Sequence, residues 1–166
     1  SPQVTISASN TNFCAGTTVT FNATALNGGT GPVYQWKKNG VNVGTNVSTY
    51  TDNSFINGDI ITCELTSNNS CVLATAAVSN ALTVTVYPLL LPSVSIASSA
   101  NNICSGTAVT FTATPVNGGI TPEYQWKKNG VNVGANAPAY TDNGLNTGDV
   151  VSCVLTSSEN CLSTAS

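Results

Sequence analysis

The chain of 166 residues carries the same sequence pattern twice, at an offset of 90 positions. The string YQWKKNGVNVG occupies residues 34–44 and recurs without change at residues 124–134. The cysteines follow the same offset, since Cys14, Cys63 and Cys71 align with Cys104, Cys153 and Cys161. A fixed internal period indicates tandem structural units. We therefore expect two repeats, residues 1–87 and 93–166, joined by a proline-bounded linker at residues 88–92.

Apolar and polar residues alternate within each copy, which is typical of half-buried strands and not of helices. In the first copy the predicted strands cover residues 4–8, 19–23, 34–36, 61–65 and 82–86. Asn39-Gly40 follows the tryptophan strand, and this pair favours a type I′ hairpin turn. Short strands with one Trp on the third strand predict an all-β fold of two tandem immunoglobulin-like β-sandwiches.

The second copy stops five residues after Cys161, before any counterpart of the strand predicted at residues 82–86. We therefore expect the second sandwich to lack its last strand. The edge left unpaired would be a template for aggregation unless something covers it. Two explanations remain open: the chain is a fragment of a longer protein, or a neighbour donates the missing strand.

Charged residues make up only 7% of the chain, against roughly a quarter in ordinary soluble domains. The basic residues are Lys37, Lys38, Lys127 and Lys128. So few cations cannot neutralise a run of phosphates, which argues against a nucleic-acid partner. The longest apolar stretch, residues 87–91, is too short to span a bilayer, so no membrane insertion is expected. A surface rich in Ser, Thr and Asn suits an extracellular or cell-surface module.

The sequence argues against an enzyme and against a cofactor. It contains no histidine, so Ser-His, Cys-His and imidazole-metal sites are excluded. Asp59 and Asp149 precede a predicted strand in NGD and TGD turns, where Asp usually bonds its own backbone. A weak calcium site built from Asp52, Asn53 and Asp59 is the alternative, but too few carboxylates lie nearby for a strong one. We expect no metal site.

Trp36 and Trp126 are predicted core residues, because they share the phase of the buried positions on the third strand. A sugar-stacking platform is the alternative. The two lysine pairs, Lys37-Lys38 and Lys127-Lys128, are interpreted as solubilising charges beside a turn. A basic contact for an acidic polysaccharide or a neighbouring subunit is the other interpretation.

Three cysteines in each copy cannot all pair within that copy. Cys63 and Cys153 are in phase with core positions and are interpreted as buried thiols. Cys14 should lie in the loop before the second strand, at the opposite end of the unit from Cys71. In an extended array this predicts an inter-domain disulfide between Cys14 and Cys161, with Cys71 and Cys104 left for adjacent repeats. A Cys63–Cys71 bridge remains an alternative.

The string CAGTTVTF, the YQWKKNGVNVG block, the NGD turn and the TSNNSC tail resemble the immunoglobulin-like, PKD-like repeats of large Bacteroidota surface adhesins. These proteins include gliding-motility adhesins and products of the type IX secretion pathway. The resemblance implies a stalk built from repeats and supplies no catalytic residues. The missing final strand departs from that pattern.

Two functions follow as hypotheses. In the first, the chain is a mechanical spacer or filament module of an extracellular adhesin, whose cores resist extension and whose partners are adjacent repeats or subunits. In the second, it is a binding module, whose end loops, such as residues 28–33, recognise a glycan or a protein.

Overall fold

The computed structural model describes residues 1–71 and 73–163, and this part of the chain is all-β. It holds no helix long and apolar enough to cross a membrane. The chain divides into two compact units, Ser1–Pro88 and Leu89–Ser166. Leu90 pairs with Leu162 in a parallel bridge, and its N–H donates to the carbonyl of Cys161 at 2.8 Å. Most of the predicted 88–92 linker therefore belongs to the second unit, because its backbone finds hydrogen-bond partners there.

Unit 1 is built mainly from two antiparallel sheets. The strands described in this unit are β1 (Gln3–Ala8), β2 (Asn12–Cys14), β3 (Val19–Leu26), β4 (Val33–Lys38), β5 (Val41–Val43), β6 (Thr49–Asp52), β7 (Ile60–Thr66), β8 (Ala76–Val78), β9 (Leu82–Thr83) and β10 (Thr85–Tyr87). One antiparallel sheet has the order β1-β3-β6 and the other has the order β5-β4-β7-β8, with β9 also paired to β7, and β10 and β2 form a parallel pair. The strands predicted at residues 4–8, 19–23, 34–36 and 61–65 are present. Asn39 and Gly40 have φ values of 53° and 79°, so the predicted type I′ hairpin is confirmed.

The last strand of unit 1 is not continuous, contrary to the prediction for residues 82–86. β9 pairs antiparallel with β7, whereas β10 pairs parallel with β2. Between them, the N–H of Val84 donates to the carbonyl of Asp59, and its own carbonyl accepts from Gly58 N, both at 2.9 Å. This change of partner inserts Val84 into the core, where it is 1% exposed. Cys14 consequently lies in β2 and not in a loop.

Unit 2 repeats the architecture of unit 1 with fewer strands. The described strands are β11 (Ser93–Ser98), β12 (Val109–Val116), β13 (Glu123–Lys128), β14 (Val131–Val133), β15 (Ala139–Asp142) and β16 (Val151–Thr156). They form two sheets with the orders β11-β12-β15 and β14-β13-β16. The described residues contain no counterpart of β2, β8, β9 or β10. The absence of a last strand in the second sandwich stays a prediction.

The core of unit 1 lies between its two sheets. Phe21, Trp36, Ile61, Cys63 and Leu65 are fully buried there. Phe21 and Ile61 lie on strands of different sheets, β3 and β7. Burial of these side chains is the main stabilising contribution to such a fold.

Candidate functional site

A polar cluster connects the two sheets of each unit. Lys38 ends β4 in one sheet and Asp52 ends β6 in the other, and the Lys38 Nζ lies 2.9 Å from the Asp52 Oδ2. The Tyr50 hydroxyl donates to the same carboxylate oxygen at 2.8 Å. We call Lys38, Tyr50, Asp52 and Ser54 the inter-sheet cluster. Unit 2 repeats its charged core, with Lys128 and the Tyr140 hydroxyl each 2.9 Å from Asp142 Oδ2.

The cluster is mostly shielded from water. The side chains of Lys38 and Asp52 are 21% and 19% exposed. The second carboxylate oxygen of Asp52 accepts from Ser54 N and Ser54 Oγ at 2.9 and 2.8 Å. The Lys38 ammonium also lies 5.1 Å from the centroid of Phe55, within the range of a cation–π contact. The predicted solubilising role is therefore wrong for Lys38, and for Lys128, which pairs with Asp142.

This environment shifts the pKa values of the cluster in opposite directions. Burial acts to raise the pKa of Asp52, but hydrogen bonds from Lys38, Ser54 and Tyr50 outweigh it and hold that pKa well below its usual range. Burial and the hydrogen bond to Asp52 raise the pKa of Tyr50. At neutral pH the cluster thus contains an ionised Asp52 carboxylate and a neutral Tyr50 phenol.

The outer lysine of each pair behaves differently in the two units. Lys37 Nζ lies 2.6 Å from Glu64 Oε1, in a pair whose side chains are 25% and 40% exposed. The position equivalent to Glu64 in unit 2 is Val154. Among the described residues Lys127 makes no ion pair. The proposed basic contact surface therefore has one unpaired cation, in unit 2.

Asp59 closes the turn before β7. Its carboxylate accepts from Asn39 Nδ2 at 2.7 Å and from the backbone N–H of Ile56 at 3.0 Å, and Asp59 is only 3% exposed. Asp149 accepts in the same way from Asn129 and Asn146, each at 2.8 Å. These carboxylate oxygens stabilise the turns that precede β7 and β16, as we expected from the NGD and TGD sequences. In the described ranges no group of three or more His, Cys, Asp or Glu residues could hold a metal ion.

Both tryptophans are 0% exposed. Trp36 stacks on Tyr50 with ring centroids 5.9 Å apart, and its Nε1 donates to the carbonyl of Val47 at 3.0 Å. Trp126 stacks on Tyr140 in the same way, and its Nε1 donates to the carbonyl of Ala137 at 2.9 Å. Neither indole offers a face on which a sugar could stack.

The cysteines differ in state and in exposure. Cys63 is fully buried and free, and burial raises the pKa of its thiol to about 11. Cys153 is free but only half-buried, so the expectation of full burial fails for the second copy. Cys71 and Cys104 are free and exposed, which leaves no Cys63–Cys71 bridge.

Cys14 and Cys161 are disulfide-bonded residues. A bridge from one to the other would join the two units. That connectivity stays a prediction.

Tyr50 and Tyr140 were not singled out from the sequence, although they complete the inter-sheet cluster. A signal was present, because the string YTDN at residues 50–53 recurs unchanged at residues 140–143. The lysine and the aspartate lie 14 positions apart in each copy. No local sequence pattern predicts a contact between residues at that separation. Only the closure of one sheet over the other brings them together.

The strand topology defines the chain as a tandem immunoglobulin-like β-sandwich protein. No protein-family model matches it, and no curated protein matches it. Among solved structures, it is similar to the fibronectin(III)-like modules of CbhA from Clostridium thermocellum. That likeness covers 96% of this chain and 89% of the other, at 16% sequence identity and a TM-score of 0.39. The fold assignment rests on the sheet order and register described above.

Proposed function

We propose that the two units are structural repeat modules of an extracellular surface protein, in which they act as a spacer. The observation that carries this proposal is the set of contacts that the repeated polar side chains make. Lys38, Asp52, Asp59 and their counterparts in unit 2 bind other groups of their own unit and are mostly shielded from water. A spacer module depends on its shape, and such repeated contacts within each unit hold that shape.

The cysteines support a location outside the reducing cytoplasm. Cys14 and Cys161 are disulfide-bonded, and such bonds persist mainly in oxidising compartments. The likeness of the repeat strings to Bacteroidota adhesins accords with a place in a surface stalk, with adjacent repeats as partners. Exposed Cys71 and Cys104 are available for further bridges to those partners.

A Cys14–Cys161 bridge would change how such a spacer carries tension. If the two ends of the chain are pulled apart, force passes through the bridge and bypasses everything between residues 14 and 161. Only the segments outside the bridge can then extend, on the order of 50 Å in all. The disulfide, more than the sandwich cores, would therefore limit extension.

Single-molecule force spectroscopy tests this function. We expect the oxidised chain, held at its two ends, to show no unfolding step beyond that short extension. After reduction, unit 1 should unfold in a step on the order of 250–300 Å. A full-length step in the oxidised chain at low force would refute a bridged spacer. The matched control is Cys14→Ser, which should behave like the reduced chain in either condition.

A binding module remains a second candidate, because one loop exposes a large apolar side chain. Ile120, in the loop at residues 118–122, is 99% exposed. Its counterpart in unit 1 is Thr30. Retention of the chain on an immobilised glycan or protein, lost in Ile120→Ser and kept in Thr30→Ser, would favour this function over the spacer.

A further inference from the structure

The sequence contains six Asn-Gly pairs, at residues 27–28, 39–40, 57–58, 117–118, 129–130 and 143–144. Glycine has no Cβ, so its backbone nitrogen can approach the side chain of the preceding asparagine with little hindrance. Attack of that nitrogen on the side-chain carbonyl carbon closes a five-membered ring. The attack requires an asparagine side chain that is free to turn toward the nitrogen. The six pairs therefore differ in reactivity according to how each asparagine is held.

Hydrogen bonds hold the side chains of five of these asparagines. Asn39 Nδ2 donates to Asp59 Oδ1 at 2.7 Å, and Asn39 Oδ1 accepts from Ile60 N at 2.9 Å. Asn129 makes the same two bonds in unit 2. Each of the remaining three makes one bond to a backbone group, at 3.1, 3.1 and 2.9 Å for Asn27, Asn57 and Asn117. A ring can form at these five positions only after such a bond is broken.

Asn143 is the exception among the six. It lies in the exposed loop between β15 and β16, and within the described residues its side chain makes no hydrogen bond. The side chain can therefore reach other rotamers, and bring its Cγ to the next nitrogen, without breaking a contact.

The nitrogen beside Asn143 is already paired with a carboxylate. Gly144 N donates to Asp142 Oδ1 at 2.7 Å, a local bond that Asp commonly makes to the backbone two residues on. This bond and the one from Lys128 lower the pKa of Asp142, so the carboxylate is ionised at neutral pH. A base at this distance can accept the proton that the nitrogen releases when it attacks.

Gly144 also takes part in the polar contacts that join the sheets of unit 2. Its carbonyl accepts from Lys128 Nζ at 2.8 Å, while Lys128 pairs with Asp142 at 2.9 Å. A covalent change at residues 143–144 therefore reaches the unit 2 counterpart of the inter-sheet cluster.

The equivalent pair in unit 1 is Asn53-Ser54. Asp52 Oδ1 accepts from Ser54 N at 2.9 Å, in the same arrangement as in unit 2. The side chain of Asn53, like that of Asn143, makes no hydrogen bond within the described residues. The difference is Ser54, whose Cβ crowds the nitrogen and whose Oγ donates to the same carboxylate oxygen at 2.8 Å. Unit 1 thus supplies a natural control.

We propose that Asn143 is a self-modification site, which the chain itself converts to aspartate or isoaspartate. The Gly144 nitrogen bonds to the Cγ of Asn143 and gives up its proton to Asp142. The bond from Cγ to Nδ2 then breaks, and Nδ2 takes up that proton and leaves as ammonia. The product is a succinimide ring. Water opens the ring at one carbonyl to give aspartate, or at the other to give isoaspartate, in which the backbone runs through Cβ.

The modification weakens the contacts between the sheets of unit 2. The succinimide nitrogen of Gly144 carries no hydrogen, so its bond to Asp142 is lost. In isoaspartate the backbone is longer by one carbon, which displaces the Gly144 carbonyl from Lys128. Because unit 1 has serine at this position, the two units age at different rates.

Peptide mapping of the full chain during incubation at neutral pH tests the site. We expect Asn143 to be converted about tenfold faster than Asn53 or any other Asn-Gly asparagine, a difference of about 1.4 kcal/mol in activation free energy. Hydroxylamine, which cleaves succinimides, should cut the chain between residues 143 and 144. In urea, where the hydrogen bonds are lost, the six Asn-Gly pairs should react at similar rates. Conversion of Asn143 no faster than that of the other five in the folded chain overturns the proposal, as does a preference that persists in urea.

Two reciprocal substitutions make the result specific to the residue after the asparagine. Gly144→Ser should slow the conversion of Asn143 to the rate at Asn53, and Ser54→Gly should raise the rate at Asn53 to that at Asn143. Each variant takes the residue that the other unit has, and a Cβ at Gly144 would meet Asp142 Oδ1 at 3.4 Å, an ordinary contact. An unchanged rate at Asn143 in Gly144→Ser overturns the proposal.

The structural consequence has its own measurement. Amide hydrogen exchange in β13 and β15 should become faster after conversion, because the contacts between the sheets are weakened. Gly144→Ser kept under the same conditions should show no change. Exchange that is unaltered after full conversion of Asn143 contradicts a role of Gly144 in holding the sheets together.

Discussion

Lys38 Nζ and Asp52 Oδ2, which lie 2.9 Å apart, join the last residues of two strands that belong to opposite sheets of unit 1. Lys128 and Asp142 repeat the pair in unit 2 at the same distance. In each unit the ion pair lies beside a stacked tyrosine and tryptophan. It thus fixes the relative position of the sheets at one end of the sandwich.

Replacing Lys38 with Met should destabilise unit 1 by about 1–3 kcal/mol, because it leaves a shielded carboxylate without its cation. Lys37→Met is the matched control and should change stability by less than about 1 kcal/mol, since the Lys37–Glu64 pair is more exposed. Urea unfolding monitored by Trp36 fluorescence in a Trp126→Phe background measures both. Equal effects of the two substitutions would contradict a structural role for the inter-sheet cluster.

The free energy of unfolding of unit 1 should fall at acid pH (the acid limb) and at alkaline pH (the alkaline limb). Both changes are due to the inter-sheet cluster. The pKa of Asp52 is lowered in the folded state. Its contribution is therefore complete above the unfolded value of about 4 and is lost as the pH falls below it. The pKa of Tyr50 is raised, so its contribution is complete below about 10 and is lost above it.

Thermal unfolding between pH 2 and pH 11 checks this dependence. Asp52→Asn should flatten the acid limb, and Tyr50→Phe should flatten the alkaline limb. If neither substitution changes the shape of the curve, the cluster does not control the pH dependence.

The free thiols should react in the order of their exposure. In the native chain at pH 8, Cys71 and Cys104 should be alkylated first, Cys153 later and Cys63 last. Burial raises the pKa of Cys63 to about 11 and also raises that of Cys153, and only the thiolate reacts. Timed alkylation followed by mass spectrometry gives the order. Fast labelling of Cys63 would show that the core of unit 1 opens readily.

The disulfide prediction is that Cys14 is bonded to Cys161. Non-reducing peptide mapping should yield one cross-linked peptide that contains both residues. In the loop-entropy model, closing a loop of this length contributes about 4–5 kcal/mol to stability. Free thiols at both positions, or a cross-link from either residue to Cys71 or Cys104, would falsify the connectivity.

Chelation of calcium should leave the melting temperature of the chain unchanged. The carboxylate oxygens of Asp52 accept from Lys38, Tyr50 and Ser54, and those of Asp59 accept from the turn around it. These two carboxylates therefore offer no free set of oxygens to a hard cation, which needs six or more ligands. Differential scanning calorimetry with EDTA and with added calcium makes the comparison, and a clear rise with calcium would contradict it.

Much of the fold could be predicted from local sequence patterns. Period-two alternation located four continuous strands of unit 1, Asn39-Gly40 located a hairpin, and the 90-residue offset transferred both to unit 2. The phase of Trp36 placed it in the core, where it is fully buried. Each of these inferences depends on residues that are neighbours in sequence or that repeat at a constant interval. This is why one sequence was enough to make them.

Other features depended on contacts between distant strands. The division of the last strand at Val84 follows from hydrogen bonds to Gly58 and Asp59, which no alternation pattern contains. The charges of Lys38 and Lys128 were visible in the sequence, but their partners lie on the opposite sheet.

The sequence by itself determined that this is a repeated, disulfide-capable β-sandwich chain. Only the tertiary structure decided which side chains are buried. Phe21, Ile61 and Phe55 are buried with Val84 in the core of unit 1, whereas Phe111, Val151 and Leu145 line an open cleft in unit 2. Burial is a property of the assembled sheets, so the cleft appears only when both copies are compared in three dimensions.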